Sequence, residues 1–525
     1  MGDATTVLSD TDARHLLRRT GFFISTRQLK SFTGKTRGAA ANSLIRGAGT
    51  RFKPRVRYNV DDVDLEREVH DNWLNYMVST THQFQEKLVL FWHDHFACSN
   101  VDVQNLTFMA NQNQLLRRHC KGKVRHATFK DFVKAINKDA AMMDFLDTVR
   151  NRKNKPNENY ARELQELFTL GVTDLQGNAN YTQDDIVQIA RAFTGWSTQQ
   201  ANGPGLKYGD AYLDPVQHDG GAPKVVYTTV GGFGPSGSDI TLGGSNPPEA
   251  EIDTVIDIIF AHRDSEGQST VARFITKKLL EYLAGPNPPK TVIDEVIANS
   301  NFDGSSDPST AWELSALLHA ILVHDFFYAT AAQPSSVKWP AHYVVSTLRQ
   351  LKMLLDYTSF TKTITVDGND KIVSIRRYHL LNDTDNSNSL RDRLDDMGQL
   401  LLNPPSVFGW DWELAWTNSG TLLARYDFAV AIAQARGTGR TAFRPDKLVD
   451  LGLTDPGDVV DAVTALLQVQ DQFPVASAER NALIDYLTDS VVNPPPLDLR
   501  DVAYRNRKLH GLFCLILESP AYQLQ

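Results

Sequence analysis

The chain has 525 residues, enough to bury a large core in one big domain or in two to three smaller ones. Its 42% hydrophobic and 22% charged residues are ordinary for a soluble globular protein. A net charge of -8 argues against nucleic acid as the main partner, because phosphate binding needs a basic face.

Cys98, Cys120 and Cys514 are few, odd in number and far apart, so neither a disulfide framework nor a thiolate zinc site is expected. No run of about 18 or more apolar residues occurs, which predicts no transmembrane helix. The first residues, MGDATTVLSDTDARHLLRRTG, lack the apolar stretch of a signal peptide. The setting is then cytoplasmic, or a signal has been removed.

Residues 10 to 196 read as mostly helical. Apolar residues recur at helical spacing in Ala13-Leu16-Leu17, in Leu88-Leu90-Phe91 and in Phe132-Ile136. The segment EKLVLFWHDHF from Glu86 holds the first cluster of chemical groups. On a helix Glu86 and His93 share a side, while His93 and His95 lie about 200° apart. A metal site built on His93 and His95, with Asp94 or Glu86 helping, therefore needs the helix to end near His93, and would take a divalent metal. Catalysis by a lone His, and one packed beside one exposed His, are the other readings. The basic run at 117–125 reads as a solvated helix end followed by a loop.

The sequence NENYARELQELFTLGV predicts a helix that Asn157 caps and Gly171 stops. Tyr160, Ala161, Leu164, Leu167 and Phe168 form its apolar face. Glu158, Arg162 and Glu166 form a ladder on the opposite face, with Glu163 on the border. The ladder is either an exposed row of charges or the wall of a cavity. In the second reading Arg162 keeps one carboxylate ionised while a more buried Glu163 or Glu166 has a raised pKa and acts as an acid. The next helix opens with Thr182 as cap and Asp185 closing a capping box. Arg191 and Trp196, further along, could face a ligand.

Residues 198–250 are rich in Gly and Pro and predict short strands and turns. Adjacent His218 and Asp219 in the loop DPVQHDGG could bring two functional groups to a ligand, or Asp219-Gly220 could simply make a turn. Helical patterning resumes at about Ala250. Arg273, Lys277 and Lys278 on one helix, and Lys338 before Trp339-Pro340, either bind an anionic group or lie on the surface. The stretch at 361–378 predicts a β-hairpin around Asp-Gly-Asn-Asp. Helices return from Leu390 to Ala433, broken at Asn403-Pro404-Pro405. Trp410, Trp412 and Trp416, interleaved with Asp411 and Glu413, make either a sugar-stacking or cation-binding platform or a buried packing of two helices.

The expected fold is a mainly α protein, a large helical domain decorated by small β-hairpins and a Gly/Pro-rich loop. Its organisation reads as an N-terminal helical part at 1–197, the insertion at 198–250 and a C-terminal helical part at 251–525, folded as one compact unit.

Taken together the motifs resemble the bacterial domain of unknown function 1800 family. They are HLLRRTGF at His15, EKLVLFWHDHF at Glu86, DAAMMDFLD at Asp139, PNENYARELQELFTLGV at Pro156, YTQDDIVQIARAFTGW at Tyr181, HDGGAPK at His218 and VARFITKKL at Val271. MGQLLLNPPSVFGWDWELAW from Met397, LLARYDF and ESPAYQ complete the series. The resemblance implies an exported, periplasmic or secreted setting, often beside a second exported family of unknown function. Two positions depart from the family pattern: His342 stands where a Glu is frequent, and Asp94 where Asn is usual.

Three functions fit these features. The favoured one is a hydrolase with paired carboxylates acting on a glycoside or polysaccharide. Glu163, Glu166 or Glu158 would serve as acid and base, with His93, His218 and Asp219 assisting. Arg162, Arg191, Trp196, Lys278, Trp410 and Trp416 would bind the substrate, a small molecule or glycan. The second is a His/carboxylate metalloenzyme. The third is a cell-envelope binding or assembly protein with a partner protein.

Overall fold

A computed structural model of the chain describes residues 3–46, 52–56, 60, 62–121, 128–199, 207–221, 223–227, 238–240, 248–329, 336–366, 368–380, 389–437, 440–492 and 494–525. The protein is mainly α-helical, with three two-stranded antiparallel sheets among the described residues. No helix among them is long and apolar enough to cross a membrane.

Local chemistry explains many helix starts. Ser9, Thr128 and Thr182 each accept a backbone N–H three residues on, and Asp12, Asp131 and Asp185 reach back to complete capping boxes. Each such cap stabilises its helix by about 1 kcal/mol.

The Gln83–His95 helix sits at the centre of the core, and all of its residues are buried, charged ones included. A helix surrounded on every side cannot follow the amphipathic pattern of a surface helix. Its ionisable side chains are instead hydrogen-bonded one by one, Lys87 and Asp94 to neutral groups and Glu86 to a charged one. Glu86 takes two hydrogen bonds from Arg117, both at 2.7 Å, and one from Trp73 Nε1 at 2.9 Å. Arg117 is therefore not part of a solvated basic run but the buried partner of Glu86. Arg118 is exposed, Lys121 is buried, and residues 122–125 of the run lie outside the described residues.

The predicted hairpin is longer than 361–378. Strand Asp356–Val366 pairs with Asn369–His379, with Val366 opposite Asn369. Gly368 turns the chain at φ +75°. The hairpin packs on the Val63–Ser79 helix, where Asp64 takes Lys362 Nζ at 2.7 Å and Arg377 at 2.8 Å. In the Gly/Pro-rich part, Trp196–Thr198 pairs with Ala211–Leu213, and Val225–Val226 with Ser238–Asp239. Most of YTTVGGFGPSGSDITLGG lies outside the described residues.

Two helix-to-helix connections repeat one loop design. In both, an Asp accepts at Oδ1 from the backbone N–H groups two and four residues on. Asp174 does so from Gln176 and Asn178, and Asp264 from Glu266 and Gln268. Gly177 (φ +87°) and Gly267 (φ +74°) supply the left-handed residue. The two loops meet through Ser265 Oγ, which donates to Asp174 Oδ2 at 2.6 Å.

Candidate active site

A cleft of about 440 Å³ opens between these loops, the end of the NENYARELQELFTLGV segment and the Thr270–Leu283 helix. Its wall carries Glu166, Leu167, Phe274, Lys277, Lys278 and Glu281, and Asp174, Asp264 and Arg273 stand at the loop end.

The carboxylate segment starts as an α-helix over Asn159–Glu163 and continues as a π-helix over Leu164–Thr169. Asn157 acts one residue earlier than a standard cap, taking the Asn159 N–H at 2.9 Å. Gly171 ends the segment at φ +78°, as its type predicts. The π turn breaks the predicted ladder. Arg162 still meets Glu158 at 3.1 Å, and Gln183 Nε2 donates to Glu158 at 2.7 Å. Glu166 leaves the row and instead accepts from Tyr181 Oη at 3.2 Å. Single π turns in helices recur at functional sites.

Glu163 is half-buried, its Oε2 is shielded and has no hydrogen-bond partner among the described residues, and it is not among the cleft-lining residues. Burial, and then the neighbouring Glu166 carboxylate, push its pKa up to about 7, against the pull of Arg162. Glu158 is also partly buried, and it is engaged with Arg162 and Gln183.

On the opposite wall, Lys278 sits with Nζ 4.9 Å from the Phe274 ring centre. Burial lowers its pKa, with Lys277 adding to the effect and Asp94 and Glu281 opposing it. Burial raises Glu281. Lys277 reaches Glu281 only at 3.9 Å. Behind Lys278, Asp94 is buried and accepts from the backbone N–H of Trp410 at 2.8 Å and from Trp412 Nε1 at 2.9 Å. Burial pushes Asp94 up to about 7 despite these two donors.

The structure separates the two histidines of the WHDHF motif. The helix runs through His95 rather than ending near His93. His93 Nε2 accepts the Leu402 N–H at 3.0 Å, between the rings of Trp73 and Trp410. His95 Nε2 points to the carbonyl of Phe168 at 3.2 Å. Burial depresses both, His93 to about 3. Among the described residues, no group of three or more His, Cys, Asp or Glu is placed to hold a metal ion.

His218, Asp219 and Arg191 do come together, but none of them lines the cleft. Arg191 Nε donates to Asp219 at 2.7 Å, and its Nη groups donate to Gln188 Oε1 and to the carbonyls of Pro223 and Gly221. His218 Nδ1 meets the Thr194 carbonyl at 2.9 Å, and its Nε2 lies 3.4 Å from Glu251, an ion-pair separation too loose for a good hydrogen bond. Burial opposes charge on His218, but Glu251 and the Thr194 carbonyl outweigh it and raise its pKa. These contacts dock the loop onto the end of the Gln183–Ala192 helix.

Trp196, Trp410 and Trp416 are all buried, so none offers an open face for stacking a sugar. Trp196 pairs with Leu213, Trp410 packs on His93, and Trp416 packs on Trp339. The sequence reading did not single out Glu281, Asp174 and Asp264 of the cleft, nor Tyr181, which bonds Glu166 from outside the lining. Glu281 could have been found from its i, i+4 spacing to Lys277. Tyr181 had no such signal, because the π turn that brings Glu166 to it is invisible in the residue pattern.

A family model described as a protein of unknown function (DUF1800) matches residues 15–524, so the chain belongs to that family. No curated protein and no solved structure matches it.

Proposed function

We propose that this member of the DUF1800 family is a hydrolase that works with Glu166 and Glu163 on a small substrate bearing a negative charge. The observation that supports this reading best is Glu163. It is a half-buried carboxyl raised to about 7, three residues from a second carboxyl that lines a cleft of about 440 Å³.

In this reading Glu166 meets the substrate and activates a water as general base, held in orientation by the Tyr181 hydroxyl. Glu163 is protonated up to about neutral pH and returns a proton to the leaving group, directly or through one water. Lys277 and Lys278 hold an anionic group of the substrate on the opposite wall. The buried tryptophans withdraw support from a long glycan laid on an aromatic platform. A short acidic glycoside or an acidic ester fits the cleft better.

The test is a panel of chromogenic glycosides and esters, each with and without a carboxylate group, run on wild type, Glu163→Gln and Glu166→Gln. Turnover of a carboxylate-bearing substrate is expected, falling as pH rises through about 7 and reduced roughly 10²–10⁴-fold in either variant. Turnover that survives in Glu163→Gln, or a Glu163 carboxyl that titrates near 4 by carbon-13 NMR, overturns the assignment.

A further inference from the structure

A second cleft, of about 30 Å³, lies between the Asp10–Thr20 helix, one side of the Pro340–Gln350 helix and the segment at 467–472. Arg18, Lys338 and His342 line it, and exposed Asp471 and Gln472 form part of its rim. Behind them stand three further buried cations, Arg19, Lys87 and Arg425.

Among the described residues, these groups donate hydrogen bonds to neutral acceptors. Arg19 donates to the carbonyls of Leu283 and Tyr282 at 2.7 and 2.9 Å. Lys87 donates to His342 Nδ1 at 2.8 Å and to Gln525 Oε1 at 2.9 Å. Lys338 donates to the Tyr522 carbonyl and lies 3.6 Å from that residue's ring centre. Arg425 donates to Gln523 Oε1 at 2.9 Å and to the Lys338 carbonyl at 2.8 Å. Arg18 keeps a buried Nε with no partner among the described residues. Two carboxylates bear on the group from a distance, Asp471 on Arg18 and Glu413 on Arg19, and neither forms an ion pair with them among the described residues.

Five buried or half-buried basic side chains gathered behind and along this cleft, with no carboxylate in contact among the described residues, are costly. Burial, and then the neighbouring cations, depress Lys338 and Lys87 well below the ordinary lysine range. A negative charge in the cleft would relieve all of them together.

We propose that this cleft is an anion site, taking the carboxylate or phosphate head group of a small molecule between Arg18 and Lys338, with His342 at its side. The guanidinium fork and the ammonium suit an oxyanion. A volume of about 30 Å³ admits only the head group. The rest of the ligand extends past Asp471 and Gln472. This site is independent of the hydrolytic cleft and stands or falls without it.

Thermal unfolding of the full chain in low-salt buffer, titrated separately with acetate, phosphate and chloride, tests the assignment. A saturable rise in Tm with acetate or phosphate is expected, beyond what chloride gives at equal ionic strength. Acetate alone assigns a carboxylate ligand, and phosphate alone a phosphate ligand. Arg18→Gln, at the rim, should weaken the apparent affinity roughly tenfold or more. His342→Glu places a carboxylate beside Lys87 and Lys338, so it should raise the anion-free Tm and abolish the response to anions. A rise that follows ionic strength whatever the anion, or one that Arg18→Gln keeps in full, overturns the proposal.

Discussion

Trp412 Nε1 donates to Asp94 Oδ2 at 2.9 Å and so ties two segments 318 residues apart. Together with the Trp410 N–H on Oδ1, it clamps the loop after Gly409 onto the last turn of the central helix. Lys278, on the wall of the cleft, feels the same carboxyl. The candidate active site is thus braced from behind by a group that titrates near neutrality.

Asp94→Asn should therefore change how stability depends on pH. Asp94 is raised to about 7 by burial, whereas in the unfolded chain it titrates near 4. The folded state holds an extra proton between these values. The stability Asp94 contributes is complete below about pH 4 and is lost as pH rises through about 7. Asparagine cannot ionise. Relative to wild type, the variant should gain ~2–4 kcal/mol between pH 4 and pH 8 in urea denaturation. A difference that stays constant across this range would show an ordinary carboxyl.

Gly409→Ala probes the same clamp by shape. Gly409 has φ +80°, and a Cβ there would come within 2.7 Å of the Asp94 carbonyl oxygen. Strain and clash together should cost about 2 kcal/mol or more. Thermal unfolding measures it, and an unchanged Tm would mean that the loop seats in another way.

Arg117→Met should be among the most damaging single substitutions. It leaves Glu86, which is fully buried, with only the Trp73 indole as partner. Loss of about 3–5 kcal/mol is expected. The double variant Glu86→Gln/Arg117→Met should recover a good part of it, because no buried charge remains. Denaturant midpoints of the single and double variants give the coupling directly.

Glu166→Gln should lower the pKa of Glu163. The Glu166 carboxylate is the second cause of the upward shift, after burial. Removing a like charge favours the ionised form, so Glu163 should titrate roughly one pH unit lower. Carbon-13 NMR of the side-chain carboxyl reads this without any substrate. An unmoved titration would place the two carboxyls too far apart to act as a pair.

Much of the fold was legible because it is local. The Thr182 and Asp185 capping box, the Gly171 stop and the hairpin around Gly368 each depend on a few adjacent residues, and each is present. The π turn at Leu164–Thr169 was not legible, since the same residues suit an α-helix and only the packing around them selects the extra residue per turn. The repeated Asp174 and Asp264 loops were also missed. They are five residues long and stand 90 positions apart, too short to register as a sequence repeat.

By itself the sequence determined a mainly helical chain, its capped helix ends, its family and the motifs in which its ionisable groups are concentrated. Only the tertiary structure decided which of those groups keep their charge exposed and which lose it. Glu86, His93, Asp94, His95 and Trp410 look alike in pattern to residues of an open site, yet they are buried. Glu163, Glu166, Lys277 and Lys278 lie instead at or near a cleft. Periodicity reports which face of a helix a residue occupies, but what covers that face comes from segments hundreds of positions away. Burial by those segments is what sets the pKa of each group and its freedom to meet a ligand.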